Sequence, residues 1–404
     1  MRVDIRPSHA CGKVMAPPSK SMAHRYLMCA ALAEGESVVH GISQSQDMLA
    51  TMDCLRLLGA DIKLVGDTAY IRGTKLQTLP EKPLECRECG TTLRFMLPLC
   101  LMGQGEITLT GSEKLLSRPL DAYEDLCREK GFTFSKSATS VTVAGRLTAG
   151  RYTLPGNVSS QYISGLLYAL SCATGESEIF LSTEVESRSY IDLTLSALRA
   201  FGVEVMWRDE QTLLISGGKT FTAREVTVEG DWSNAAFWLA LQTLGEQIEV
   251  TGLLENSLQG DRVCAQYFEA LRQGCPTLSL GNCPDLAPIL MVVAALYHGA
   301  VFTDTARLQL KESDRGMAMK LELEKCGGCV TVEENRILVS SVPLHTPDTD
   351  IDGHNDHRIV MAMAVLLSRL GGSILGCHAV EKSYPDFFSE LEKLGIEIAY
   401  GTES

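Results

Sequence analysis

Apolar stretches of helical length alternate along this chain with short β-branched runs, and the switch between them recurs at a fixed interval. Gly35, Gly105, Gly175 and Gly245 are each followed by Glu and lie 70 residues apart. Each closes an apolar stretch and opens a strand-like one: Val38-Val39, Ile107-Thr108-Leu109, Ile179-Phe180-Leu181 and Ile248-Glu249-Val250. Two weaker copies follow, at Gly299 before Val301-Phe302-Thr303 and at Gly372 before Ile374-Leu375. In every copy a second helix stops at a glycine suited to the left-handed C′ position: Gly59, Gly131, Gly202, Gly274, Gly327 and Gly395. The pattern predicts an α/β (α+β) chain made of six βα-rich units.

A chain of 404 residues is too long for one core, so six units divide naturally into three plus three. The fourth unit is short, with nothing after Thr277-Leu278-Ser279-Leu280 before the next helix, and the last stops after Ile396-Glu397-Ile398-Ala399. Val3-Asp4-Ile5 and Lys13-Val14-Met15, unpaired at the N-terminus, are placed to supply the strands that the last unit lacks. The expected organisation is therefore a discontinuous domain, 1–18 plus 230–404, with 19–229 inserted in it.

Composition narrows the function classes. A net charge of −14, with no basic run longer than two, argues against a nucleic-acid partner. The longest apolar run, Leu286 to Tyr297, is too short for a membrane span and carries Pro288, and the N-terminus lacks a signal-peptide core. A cytoplasmic protein with no membrane partner is expected. The 14 cysteines fall mostly on apolar helical faces, as at Cys29, Cys54, Cys100 and Cys172, where a reduced thiol acts as a small buried hydrophobe. The pairs Cys86/Cys89 and Cys326/Cys329 lie 240 residues apart without supporting His spacing, so no metal site is expected.

The first helix of each unit is apolar nearly all round, as over 23–33, 166–173, 289–296 and 359–367, yet its start is polar. The starts read Ser19-Lys20-Ser21-Met22-Ala23-His24-Arg25, Glu88-Cys89-Gly90-Thr91-Thr92-Leu93-Arg94, Asn157-Val158-Ser159-Ser160-Gln161, Asp231-Trp232-Ser233-Asn234, Asn282-Cys283-Pro284-Asp285 and His354-Asn355-Asp356-His357-Arg358. Three such starts gathered at one end of a domain would pool unbonded N–H groups and dipoles into a positive surface, and two such ends facing one another would trap an anion. Ser233 and Asn234 read most simply as N-caps. Lys20, Arg25, Arg94 and Arg358 do not, because a cation beside a positive dipole end is unfavourable unless an anion is bound. Arg118, Lys311, Arg315 and Lys382 lie in loops just before the second helix of their units. Such a set suits small metabolites that carry several anionic groups.

Pro-Pro-Ser-Lys-Ser-Met-Ala-His-Arg at 17–25, Cys-Gly-Thr-Thr-Leu-Arg at 89–94, Lys-Glu-Ser-Asp-Arg at 311–315 and Asn-Asp-His-Arg at 355–358 resemble the EPSP synthase (3-phosphoshikimate 1-carboxyvinyltransferase) family. The resemblance implies a two-domain inside-out α/β barrel of six βαβαββ units, three per domain, with the active site in the cleft between domains. It also implies a monomer with no metal or organic cofactor, whose small anionic substrates are shikimate 3-phosphate and phosphoenolpyruvate. Carried onto this chain, Lys20 touches both substrates, and Ser21 and Arg25 hold phosphoshikimate. Ser159, Ser160 and Ser187 bind its phosphate, Gln161 lies between the two substrates, and Lys311 is a further shikimate contact. Gly90, Arg118, Arg315, Arg358 and Lys382 form the phosphoenolpyruvate site. Asp285 binds the shikimate hydroxyls and accepts a proton, while Lys20 or Glu312 exchanges the proton at C3.

Glu88 and Arg307 depart from residues frequent in the family, and Arg94 reads either as a ligand contact or as the partner of Glu88 in an ion pair. A UDP-N-acetylglucosamine enolpyruvyl transferase is the rival enzyme, but its loop cysteine is missing from Gly111–Pro119. A non-catalytic scaffold for anionic partners is the other alternative, and it would have no use for Asp285.

Overall fold

The computed structural model describes residues 1–75, 78–103 and 105–401. The chain divides into two compact units, 18–229 and 1–17 with 230–404. Each has a hydrophobic core of its own.

The 18–229 unit contains α1 (Lys20–Leu32), α2 (Gln46–Leu57), α3 (Gly90–Cys100), α4 (Glu113–Ser117), α5 (Asp121–Lys130), α6 (Ser160–Cys172) and α7 (Arg188–Ala200). One strand order recurs in it. Glu36–His40 pairs parallel with Glu225–Thr227 and antiparallel with Thr68–Arg72, which continues to Asp61–Val65. Ile107–Thr110 pairs the same way with Leu84–Glu85, Ser140–Ala144 and Thr133–Lys136, as does Glu176–Leu181 with Arg151–Leu154, Thr212–Ser216 and Val205–Trp207. Alternating burial along these strands, such as that of Ser140–Ala144, puts one face on the helices and the other toward water. α1, α3 and α6 are buried over most of their length, which is why their sequences are apolar on all sides.

The other unit contains α8 (Trp232–Thr243), α9 (Cys264–Gln273), α10 (Ala287–Leu296), α11 (Arg315–Lys325), α12 (His357–Leu370) and α13 (Phe387–Lys393). Ala300–Thr303 repeats the same order with Thr277–Ser279, Arg336–Ser340 and Cys329–Glu333. Gly372–Leu375 pairs parallel with Ile351–Asp352 and antiparallel with Arg2–Ile5, and Arg2–Ile5 pairs on its other side with Ile398–Gly401. The first N-terminal segment thus completes the last sheet as expected. The second does not: Cys11–Met15 lies parallel to Gln247–Thr251, in the short fourth unit. That register puts Val14 beside Val250 and buries Val14.

Two further expectations are corrected. No closed barrel forms among the described residues, because the strands make separate four-stranded and two-stranded sheets whose edges are not bonded to one another. Gly59, Gly131, Gly202, Gly327 and Gly395 have the positive φ of a left-handed C′ residue, but Gly274 has φ 172°, which is extended backbone. None of the 14 cysteines forms a disulfide, and most are buried.

One close approach fixes the starts of α3 and α6 against each other. α6 packs against α3 through Gly165, where a Cβ would strike the Arg94 carbonyl and lie 2.6 Å from the Tyr123 hydroxyl. That hydroxyl donates to the Arg94 and Tyr162 carbonyls at 2.9 and 2.8 Å, tying the two helices near their starts. Gly165→Ala should cost about 1–3 kcal/mol through overpacking, read as a lower urea midpoint at unchanged slope.

Candidate active site

In the 18–229 unit the polar helix starts meet. Ser19 caps α1 by accepting from the Met22 N–H, and Cys89 caps α3 by accepting from the Thr92 N–H at 3.4 Å. The Lys20 ammonium donates to Asp47 Oδ2 at 2.9 Å, joining α1 to the first turn of α2. Lys20 therefore has a resident counter-charge, and the expectation that it calls for an anion is weakened by this ion pair.

Arg25 and Arg94 keep that expectation. Arg25 is buried, and its guanidinium donates to Thr194 Oγ1 at 2.9 Å and to the Ser21 and Tyr190 carbonyls at 2.6 and 2.7 Å. Arg94, also buried, donates to Gln161 Oε1 at 2.9 Å and to the Pro119 carbonyl at 3.3 Å, so its partner is not Glu88. Arg94 Nε has no hydrogen-bond partner. Both guanidinium groups lie over aromatic rings, Arg25 at 5.6 Å from the Phe95 centroid and Arg94 at 5.2 Å from that of Tyr162. Burial lowers the proton affinity of Arg25. Among the described residues no carboxylate pairs with either, an arrangement that costs solvation and that an anion would repay.

Gln161 bridges two starts, accepting from Arg94 and donating from Nε2 to Thr91 Oγ1 at 2.8 Å. Ser159 caps α6 and Ser160 is its first residue, so both hydroxyls lie beside Gln161. Gly90 is packed between two cations: a Cβ there would be 2.8 Å from Nη1 of both Arg118 and Arg94. Ser187, buried just before α7, holds a left-handed φ of 54°, a strain typical of functional turns. Three residues later the Tyr190 carbonyl reaches Arg25.

The second constellation, in the other unit, is balanced differently. Arg315 begins α11 buried, with Nε 2.9 Å from Asp356 Oδ2, Nη1 2.7 Å from Asp285 Oδ1 and Nη2 2.8 Å from Glu312 Oε2. Three carboxylates hold this one guanidinium and raise its pKa further, although burial opposes them. Asp285 in turn meets Lys311 Nζ at 3.2 Å and Arg358 Nη2 at 3.5 Å. Burial alone would raise the Asp285 pKa, but the fields of Lys311, Arg315 and Arg358 outweigh it and hold the carboxyl well below the usual range. Burial pulls Lys311 down, and Asp285 opposes that shift.

Arg358, buried at the start of α12, donates to Ser233 Oγ at 2.6 Å and Asn234 Oδ1 at 3.2 Å. The N-cap of α8 is Asp231, which accepts from the Asn234 N–H at 2.9 Å and from the Ser233 hydroxyl at 2.6 Å. Ser233 and Asn234 are thus not caps: their side chains hold Arg358. Lys382 donates to the Asn355 carbonyl at 2.6 Å, and Arg307 to the Gly281 carbonyl at 2.6 Å in the loop leading to Asp285.

Two anchoring residues escaped the sequence reading. Asp47 pairs with Lys20, and Asp356 both caps α12 through the Arg358 N–H at 2.9 Å and fixes Arg315. Asp356 lay inside the Asn-Asp-His-Arg run, where capping was sufficient explanation. For Asp47 the only signal was an acid in the first turn of a helix, where dipole complementarity was sufficient explanation.

The EPSP synthase (3-phosphoshikimate 1-carboxyvinyltransferase) family matches residues 6–273 and 274–391. The chain belongs to this family. Relatives named 3-phosphoshikimate 1-carboxyvinyltransferase from Clostridium acetobutylicum and Clostridium novyi are 37% and 36% identical, covering 98% and 97% of this chain and the same shares of their own. Among solved structures, an EPSP synthase from Acinetobacter baumannii superposes with a TM-score of 0.80 at 22% identity over 100% of both chains. The enolpyruvyl transferase NikO from Streptomyces tendae does so with 0.79 at 16% identity, over 100% of this chain and 99% of its own. At those identities the likeness is one of fold.

Removing Asp356 breaks the most deeply buried of the three ion pairs on Arg315 and takes away the cap of α12, so Asp356→Ala should lower unfolding free energy by about 3–5 kcal/mol in urea titration. Asp285 predicts a pH signature. Its depressed carboxyl contributes stability that is present above the unfolded value of about 3.9 and is lost as pH falls through the folded value. The stability gap between wild type and Asp285→Asn should therefore be constant near neutrality and shrink below about pH 4, and a gap that holds steady into acid would contradict this.

Proposed function

We propose that this chain transfers the enolpyruvyl group of phosphoenolpyruvate to the 5-hydroxyl of shikimate 3-phosphate and releases phosphate. The observation that carries the reading is Asp285, a carboxylate kept ionised by three cations at the start of a buried helix. Uncompensated Arg25 and Arg94 supply the complementary need for anions.

In the proposed reaction the 5-hydroxyl oxygen bonds to C2 of phosphoenolpyruvate while C3 gains a proton, giving a tetrahedral intermediate. The C2–O bond to phosphate then breaks and C3 returns its proton, leaving an enol ether. Lys20, Ser21, Arg25, Ser159, Ser160 and Ser187 hold phosphoshikimate, with Gln161 between the substrates. Gly90, Arg118, Arg315, Arg358 and Lys382 receive phosphoenolpyruvate. Lys311 contacts shikimate, and Lys20 or Glu312 handles the C3 proton.

Asp285 takes the hydroxyl proton, a reading supported by the three cations that set its basicity. Pinned by Lys311, Arg315 and Arg358, it is a poor base. When the substrates' phosphate and carboxylate groups draw Arg315 and Arg358 to themselves, the field on Asp285 weakens and its basicity recovers. Those cations then face the charge that moves onto the departing phosphate. We further read the recurring sheets as six βαβαββ units in an inside-out arrangement, and the protein as a cytoplasmic monomer that needs no metal or organic cofactor.

Purified chain supplied with both substrates should release phosphate, and with either alone should not. Asp285→Ala and Lys20→Ala should each lower kcat by about 10²–10⁴-fold. Release with UDP-N-acetylglucosamine in place of phosphoshikimate would sink the reading. Gly90→Ala should raise KM for phosphoenolpyruvate more than for phosphoshikimate, because the added methyl displaces Arg118 and Arg94.

A further inference from the structure

We propose that His24, Asp47 and Cys89 form a site for one thiophilic divalent cation of the Zn²⁺ or Cd²⁺ class, and that its occupation inhibits the reaction by taking Asp47 from Lys20. The three residues come from three elements, α1, the first turn of α2 and the cap of α3, and all are buried. Their ligand atoms lie within 4.8 Å of one another. Cys89 Sγ is 3.9 Å from His24 Nε2. A tetrahedral zinc with bonds of about 2.3 Å to sulfur and about 2.0–2.1 Å to nitrogen places those atoms about 3.6 Å apart, so a shift of a few tenths of an ångström completes the geometry.

The imidazole is already oriented. Thr51 Oγ1 lies 2.9 Å from His24 Nδ1, and Thr92 Oγ1 lies 2.7 Å from Thr51 Oγ1, which turns Nε2 toward Cys89 in the way outer-shell partners orient metal-ligating histidines. The Cys86/Cys89 spacing contributes nothing, since Cys86 turns its thiol to the Leu84 carbonyl instead.

Charge closes the argument. The cation now beside Asp47 is the Lys20 ammonium, 2.9 Å away. A divalent ion balanced by the Asp47 carboxylate and a Cys89 thiolate makes a neutral buried cluster, as the Lys20–Asp47 pair does now. Binding therefore exchanges one neutral arrangement for another, with the thiol proton passing to solvent and Lys20 expelled. The mixed sulfur, nitrogen and oxygen donors suit Zn²⁺ and Cd²⁺ and disfavour Mg²⁺ and Ca²⁺.

The binding claim stands on this geometry alone, whereas the inhibition rests on Lys20 being a substrate contact, as proposed above. The test uses full-length protein in which the exposed Cys11, Cys275 and Cys329 are changed to Ser, titrated with Cd²⁺ and followed by thiolate-to-metal charge-transfer absorption. One Cd²⁺ per chain should bind, at least about tenfold more weakly in Cys89→Ser and in His24→Gln. Lys20→Ala should bind it more tightly, because the competing cation is gone, a gain that general damage to the fold would not produce. Phosphate release should fall with the same midpoint as Cd²⁺ binding, each protein being compared with its own metal-free rate. An unchanged band in Cys89→Ser, no saturable band at millimolar Cd²⁺, or weaker binding in Lys20→Ala would overturn the site. Binding with the expected dependences but undiminished turnover would overturn the inhibition and, with it, the role given to Lys20.

Discussion

The candidate site depends on charged side chains buried in the first two turns of apolar helices. A guanidinium in that position loses its water and sits near the positive end of a helix dipole. The chain answers this cost in two ways. Arg315 is surrounded by Asp356, Asp285 and Glu312, while Arg25 and Arg94 are left with carbonyls, a hydroxyl, an amide oxygen and aromatic faces. The first answer locks a geometry, and the second keeps an affinity for anions in reserve.

Arg358 stands between these extremes. Its closest partners are the neutral Ser233 and Asn234, with Asp285 farther off at 3.5 Å. An incoming carboxylate or phosphate can recruit it at little cost, since no tight carboxylate contact has to be broken. Arg315 is harder to recruit, for it must give up part of a three-carboxylate shell. In the proposed reaction the same exchange would free Asp285, making substrate binding and activation of the base one electrostatic event.

Helix packing makes this possible by bringing starts together that are far apart in sequence. Arg94 and Gln161 meet because α3 and α6 pack through a residue with no side chain, and Lys20 reaches Asp47 because α1 and α2 are neighbours. The crowding also assembles groups without an evident role in the reaction, and the His24, Asp47 and Cys89 cluster is the clearest of them. On the readings proposed above, a site that holds anions with buried cations would lie one exchange away from holding a cation.

Hydrophobic periodicity and glycine spacing determined the helices, the strand after each Gly-Glu step and the burial of each unit's first helix, because these are local consequences of side-chain period and backbone freedom. The family motifs likewise named the cations at the helix starts. What only tertiary structure decided is pairing across the chain. Cys11–Met15 joined Gln247–Thr251 rather than the last sheet, Gly274 ended its helix without a left-handed turn, and Ser233 and Asn234 left capping to Asp231 and took hold of Arg358. Nor could spacing reveal that Lys20 has Asp47 as a partner while Arg25 and Arg94 have no carboxylate among the described residues. A sequence records which residues carry charge, but counter-charges are assigned by distances of a few ångströms between segments that the chain itself keeps far apart.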